Sequence, residues 1–263
     1  LGFSLTSMIG LYQIYNGSWD YGLLWIAIAF AVGFAIVVYN DGDKIEKDRI
    51  LVTYLAYLIV IVFWGAFEQA GGLMNLYASQ KTDLALGSFM VPASWFQSVN
   101  AIFILIFATA VGSFWIWWKK SGYEHSSLFK MALGVIIMGF GFFFMSMAAN
   151  EVGYDESGEI TKKSAMYWLV LAYLFHTIGE LCASPVALSF ITKLAPARWG
   201  AFMMGAYFAA TGLGNKVAGL IGENASEVGD YTTFIGITIF CTIFGLLVIL
   251  ILKPLKRLVH GAE

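Results

Sequence analysis

The chain has 263 residues, of which 59% are hydrophobic, 17% aromatic and only 12% charged, with a formal net charge of −2 and a mean hydropathy of +0.76. That much apolar surface excludes an ordinary soluble domain, and with no basic stripe along the chain a nucleic-acid partner is excluded as well. Both cysteines, Cys182 and Cys241, fall in apolar runs, so neither a disulfide nor a metal site is expected from them.

Hydropathy predicts eight spans, at residues 1–16, 22–39, 51–73, 95–118, 128–149, 165–194, 201–222 and 233–252. A bilayer core of roughly 30 Å calls for about 20 apolar residues in a helix, and the spans lack the alternation of outer-membrane strands. The expected fold is an all-α membrane protein, a polytopic helical bundle in contact with the lipid bilayer. The chain begins at Leu1 within an apolar segment and without a basic stretch ahead of it, which reads as a piece of a longer polypeptide. No connecting segment has room for an extramembrane catalytic domain, so an enzyme is not expected.

Lysine and arginine set the expected orientation. If the loop at 40–50 is cytoplasmic, that side collects Lys44, Lys47, Arg49, Lys119, Lys120, Lys130, Lys193, Arg198, Lys253, Lys256 and Arg257. The other side holds Lys81, Lys162 and Lys163, and Lys216 falls within a span. This asymmetry predicts a cytoplasmic C-terminus.

The third span carries Trp64, Phe67, Glu68 and Gly71 at i, i+3, i+4 and i+7, on one helix face. An acid between aromatic residues suits the wall of a polar cavity, although Trp64 would equally suit packing against lipid. Asp83, in the loop that follows, is either solvated or part of a gate salt bridge. In the fourth span Asn100 can pair with a peptide N–H and a C=O together, or with a neighbouring helix. The sixth span holds His176 and Glu180, one turn apart and able to touch, and Pro185, where a kink is expected. A carboxylate at bilayer depth costs roughly 2.5–3.5 kcal/mol on insertion scales, so Glu180 and Glu68 are candidate functional residues. In the seventh span Ala206, Ala210, Gly214, Ala218 and Gly222 form a small-residue stripe suited to close helix packing, while Tyr207 and Phe208 are suited to face a cavity or a core. There is no GxxxxGK[ST] loop, no Ser-His-Asp set and no His-Glu-x-x-His, which argues against a primary pump or a metalloprotease.

Four segments resemble the proton-dependent oligopeptide transporters of the major facilitator superfamily. They are Phe63-Trp64-Gly-Ala-Phe67-Glu68-Gln69, Gln97-Ser-Val-Asn100, Gly179-Glu180-Leu-Cys-Ala-Ser184-Pro185, and the stretch from Ala195 through Arg198-Trp199 to Tyr207-Phe208. Their order and spacing match together. The resemblance implies that residues 51–263 form the C-terminal six-helix half of a facilitator fold and residues 1–50 an extra two-helix hairpin with its linker. The N-terminal bundle, with its Glu-x-x-Glu-Arg motif, is absent from this sequence. The departures are small: Ala101 stands where proline is common, and Tyr207 where tryptophan is common.

By this resemblance the chain would serve proton-coupled symport of di- and tripeptides by alternating access in a bacterial inner membrane, with protons as coupling ion and no cofactor. Glu180 would hold the peptide ammonium, Asn100 and Ser184 would contact the peptide, and Trp64, Phe67, Tyr207 and Phe208 would shape side-chain pockets. Glu68 would respond to protonation, paired with an arginine of the missing half. A facilitator for another small solute, such as an anion, sugar or drug, is the alternative.

Overall fold

The computed structural model describes residues 2–17 and 19–262, with the side chains of all of these except 2–6, 19–24, 26, 27 and 30. Leu1 and Glu263, the outer bounds of the two predicted domains, lie outside the described residues. The helices are α1 (Gly2–Tyr15), α2 (Trp19–Asp41), α3 (Lys44–Phe67), α4 (Leu73–Lys81), α5 (Trp95–Lys120), α6 (Ser127–Glu151), α7 (Tyr167–Leu194), α8 (Gly200–Val228), α9 (Asp230–Leu250) and α10 (Leu252–Leu258). Each of the eight predicted spans falls mainly on helix among the described residues. Among the described residues, five stretches are long and apolar enough to cross a membrane: Lys44–Lys81, Trp95–Lys120, Ser127–Glu151, Tyr167–Leu194 and Asp230–Leu250.

The third span departs from its expected form. Helix α3 stops at Phe67, a 3-10 turn covers Glu68–Ala70, and α4 begins only at Leu73. Gly72, at φ −98° and ψ −95°, is where the backbone leaves helical geometry. Two successive glycines lose the most conformational freedom in a helix and contribute no packing, so Gly71-Gly72 is the weak point. At Pro185, where a kink is expected, α7 stays continuous from Tyr167 to Leu194 with the proline inside it. Buried Ala183 and Ala187 flank that position, and packed neighbours let a membrane helix tolerate a lost backbone donor.

Glycine contacts set the bundle's spacing. Helix α6 packs against both α7 and α9. A Cβ on Gly134 would lie 2.7 Å from the Gly179 carbonyl oxygen, and one on Gly179 would lie 2.6 Å from that of Gly134, so the two backbones are in direct contact. Helices α3 and α8 meet the same way at Gly65 and Gly214, where a Cβ on Gly214 would come within 2.8 Å of Trp64 Cβ. The small-residue stripe of α8 packs through its middle: Ala210, Gly214 and Ala218 are buried, but Gly222 has open space beside it. Helix α5 packs mainly on α7 and leaves most of its surface exposed.

Polar contacts close both ends of the bundle. At the basic end, Arg198 pairs with Asp41 and Glu46, each at 2.7 Å. Lys256 pairs with Glu124 at 2.7 Å, and α3 starts in a capping box between Asp43 and Glu46. The Arg198 bonds and a Phe34–Phe202 stack with ring centroids 3.8 Å apart hold the end of α2 against α3 and α8. At the other end Lys81 pairs with Asp230 at 2.6 Å, and short strands Thr82–Asp83 and Ser164–Ala165 pair in parallel.

Candidate functional site

Glu180 lies half-buried on α7, and its Oε2 accepts a hydrogen bond from Asn100 Nδ2 of α5 at 3.0 Å. The same amide donates to Thr177 Oγ1 at 3.1 Å, and that hydroxyl donates to the Tyr173 carbonyl at 2.8 Å. Tyr173, Thr177 and Glu180 are at i, i+4 and i+7, so they share the face that α7 turns toward α5. The Tyr173 hydroxyl donates to the Ala70 carbonyl at 3.0 Å, which ties α7 to the broken segment between α3 and α4. Gln69, also buried, donates from Nε2 to the carbonyls of Gly65 at 3.3 Å and Ala218 at 3.0 Å. The Ala70 carbonyl at the break is therefore satisfied by a side chain of another helix, and Gln69 ties the broken segment to α8.

Glu68 is the first residue of the 3-10 turn and is half-buried. With Phe67, Gln97, Asn100, Tyr173 and His176 it lines a recess of about 160 Å³. Because Asn100 also binds Glu180, the two predicted acids are joined through one amide-bearing helix. Trp64, Ser184 and Tyr207 line a separate, smaller cavity nearby. The Trp64 and Phe67 rings meet edge to face at 5.3 Å and form the wall between the two spaces.

Two predicted residues lie apart from this cluster. Phe208 is 65% exposed and touches Tyr207 edge to face at 5.4 Å. It sits about 100° around α8 from buried Tyr207, and lines neither space. Asp83 is exposed in its short strand, where its Oδ1 accepts the Ala85 N–H at 3.1 Å. The ion pairs at that end, among the described residues, are Lys81–Asp230 and Lys162–Glu151. His176 and Glu180 also do not bond to each other: the imidazole turns to Phe142 of α6, with ring centroids 4.5 Å apart, while Glu180 turns to α5.

Thr177, Tyr173 and Gln97 are site residues that the sequence reading passed over. The signal for Thr177 and Tyr173 was their position three and seven residues before Glu180. Gln97 lies one turn before Asn100 on the same face of α5.

The family model described as PTR2, the POT family, matches residues 18–233. The chain belongs to the POT family. POT-family relatives include the peptide transporter YePEPT of Yersinia enterocolitica, 33% identical over 246 residues that cover 92% of this chain and 47% of the relative. A di-/tripeptide transporter of Lactococcus lactis subsp. cremoris is 28% identical over 272 residues, covering 97% of this chain and 52% of the relative. The crystal structure of a peptide transporter POT in complex with sulfate matches with a TM-score of 0.80 at 25% identity, over 98% of this chain and 48% of that one. A POT family transporter in complex with a thioalcohol-conjugated peptide shares the fold at a TM-score of 0.75 and 21% identity, over 96% of this chain and 52% of that one. The chain spans about half the length of the curated relatives it matches. The architecture is accordingly that of a helical major facilitator membrane fold, and the polar cluster on α3, α5 and α7 lies within the POT-family region.

Proposed function

We propose that this chain supplies the C-terminal half of a proton-coupled symporter for di- and tripeptides, working by alternating access. The observation that carries the reading is the Asn100–Glu180 pair. It leaves Glu180 Oε1 without a bond to any described residue and Oε2 with one partner. A half-buried carboxylate in that state can accept the ammonium of a small ligand in a low-dielectric setting, where charge-assisted bonds are strong. The POT-family match and the di- and tripeptide transporters among the relatives support the choice of ligand.

In this reading Glu180 takes the peptide ammonium, and Asn100 and Ser184 contact the peptide beside it. Trp64, Phe67 and Tyr207 shape the side-chain space, with Phe208 contributing from the exposed side of α8. Glu68 is the proton-responsive acid and pairs with an arginine of the N-terminal bundle, while Asp83 acts at a gate at its own end of the molecule. Protons are the coupling ion and no cofactor is required. Residues 1–50 form the added hairpin and linker, and residues 51–263 form the six-helix half. The basic end faces the cytoplasm of a bacterial inner membrane and carries the C-terminus with it.

The test is uptake of a labelled dipeptide by the full polypeptide in proteoliposomes under an inward proton gradient. Glu180→Gln is expected to abolish uptake while the purified protein keeps its melting temperature. Undiminished uptake by that variant overturns the assignment. Competition by nitrate or sugars, with none by dipeptides, would replace the peptide by another solute.

A further inference from the structure

Thr177 is completely buried on α7. Its hydroxyl donates to the Tyr173 carbonyl four residues back, at 2.8 Å, the bond that threonine makes to its own helix. That bond by itself relieves the cost of burying the hydroxyl. A hydroxyl has one proton and two lone pairs. With the proton committed to Tyr173, Thr177 Oγ1 can only accept from the Asn100 amide, 3.1 Å away on α5.

The consequence falls on Asn100. The two ends of its amide are alike in shape and opposite in bonding, since the oxygen accepts and the nitrogen donates twice. Thr177 Oγ1 takes one N–H, and Glu180 Oε2, at 3.0 Å, takes the other. Turned over, the amide would set its oxygen against the hydroxyl oxygen and against an ionised carboxylate. Of the two acceptors, Thr177 is the constant one. It is sealed from solvent and its proton is held by its own helix, whereas Glu180 is half-buried. The amide oxygen Oδ1 is left without a bond to any described residue, and Asn100 lines the recess shared with Glu68 and Gln97.

We propose that Thr177 is a positioning residue of the peptide site: it fixes which way the Asn100 amide faces, so that the nitrogen serves Glu180 and the oxygen Oδ1 is kept for the ligand. Thr177 touches no ligand itself. Without its hydroxyl the orientation of the amide would depend on Glu180 alone. That is the group the peptide ammonium engages, so the hold on the amide would weaken just as the ligand arrives.

The inference rests on Glu180 as the acceptor for the peptide ammonium, and the experiment separates the two claims. KM for dipeptide uptake by the full polypeptide in proteoliposomes is measured for the native protein, Thr177→Val, Thr177→Ser, Asn100→Ala and the double variant Thr177→Val with Asn100→Ala. Uptake by Glu180→Gln is measured alongside, and melting temperatures confirm that each variant is folded. Valine keeps the branched shape and removes the hydroxyl, so Thr177→Val is expected to raise KM roughly two- to ten-fold, the size of one net hydrogen bond. Thr177→Ser keeps the hydroxyl and is expected to stay near the native KM. On the Asn100→Ala background Thr177→Val is expected to add nothing, because its effect passes through that amide; a threonine that served packing alone would add its loss in both backgrounds. If Thr177→Val melts below the native protein, Thr177→Ala gives the second reading, with the same expectation in both backgrounds. A KM unchanged by loss of the hydroxyl, a loss that serine does not repair, or an equal loss with and without the Asn100 amide overturns the role of Thr177 and leaves Glu180 in place. Undiminished uptake by Glu180→Gln overturns the underlying assignment of the ammonium site.

Discussion

Asn100 Nδ2 lies 3.0 Å from Glu180 Oε2 and 3.1 Å from Thr177 Oγ1, so one amide on α5 bridges two groups a turn apart on α7. Among the described residues this amide is the partner that Glu180 has, and it comes from α5, where only Phe96 and Trp115 are buried. The Glu180 carboxylate is thus positioned by a helix that packs mainly on α7.

Asn100→Ala should therefore weaken peptide binding without unfolding the protein. A hydrogen bond to a charged group contributes about 1.5–3 kcal/mol, which corresponds to a rise in KM of roughly ten- to a hundred-fold. Asn100→Asp should be worse than alanine, because it places a like charge against Glu180. Concentration-dependent uptake compared across the two variants checks the order, and equal KM values in all three proteins would remove Asn100 from the site.

Close packing of α6 on α7 should be sensitive to a single methyl. Gly134→Ala places a Cβ 2.7 Å from the Gly179 carbonyl oxygen, so the helices must separate, at a cost of about 1–3 kcal/mol. Gly236→Ala, on a face of α9 with open space, serves as the control and should not lower stability. Thermal unfolding in detergent should rank Gly134→Ala well below native, with Gly236→Ala at or above it.

Arg198 fastens the end of α2 to the start of α3. Its Nη1 and Nη2 reach the two oxygens of Glu46 at 2.8 and 2.7 Å, and its Nε reaches Asp41 Oδ2 at 2.7 Å. The Arg198 side-chain hydrogen bond leads the effects that hold the Asp41 carboxyl below its ordinary range, with the Trp199 indole adding to it. Arg198→Lys keeps the charge but not the planar fork. Both Arg198→Ala and Arg198→Lys should speed amide hydrogen exchange across residues 38–47, and the protection should also fall with added salt in the native protein.

Glu124 offers a pH test outside the membrane-spanning segments. Partial burial opposes its ionisation, but hydrogen bonds from Lys256 and from Ser126 outweigh it and pull its pKa down to about 2. Because the folded value lies below the unfolded value of about 4.3, the carboxylate stabilises the protein above that pH and loses its contribution as pH falls toward 2. Glu124→Gln should therefore melt below the native protein at pH 6, with the gap closing as the pH falls toward 3. A gap that stays constant across this range would show that the Lys256 contact carries no pH-dependent stability.

The helical character of the eight predicted spans, their approximate limits and the two acids within apolar runs were legible in the sequence, because hydropathy, period and the rarity of buried charge are local properties. So was the packing role of the α8 stripe, since small residues at i+4 spacing mark close approach. The division of the third span into α3 and α4, and with it the place of the helix break, was not. Proline at 185 and the glycine pair at 71–72 are both local signals, and which one interrupts a helix depends on the neighbours that can satisfy the freed backbone groups. At the glycines, the Ala70 carbonyl finds the Tyr173 hydroxyl; around Pro185 the helix is held by buried alanines on either side.

By itself, then, the sequence determined a helical membrane bundle with Glu68 and Glu180 on separate spans, and its motifs pointed to the family. Only the tertiary structure decided that Glu180 meets Asn100 rather than His176, that Glu68 shares a recess with that same asparagine, and that Phe208 and Asp83 stand apart. The physical reason is rotation: helix periodicity shows which residues share a face but not where the face points. Here the glycine contacts between α6 and α7 and between α3 and α8 bring the backbones together and fix these four helices about their axes, and so set which way Glu180 and the break at Glu68 point.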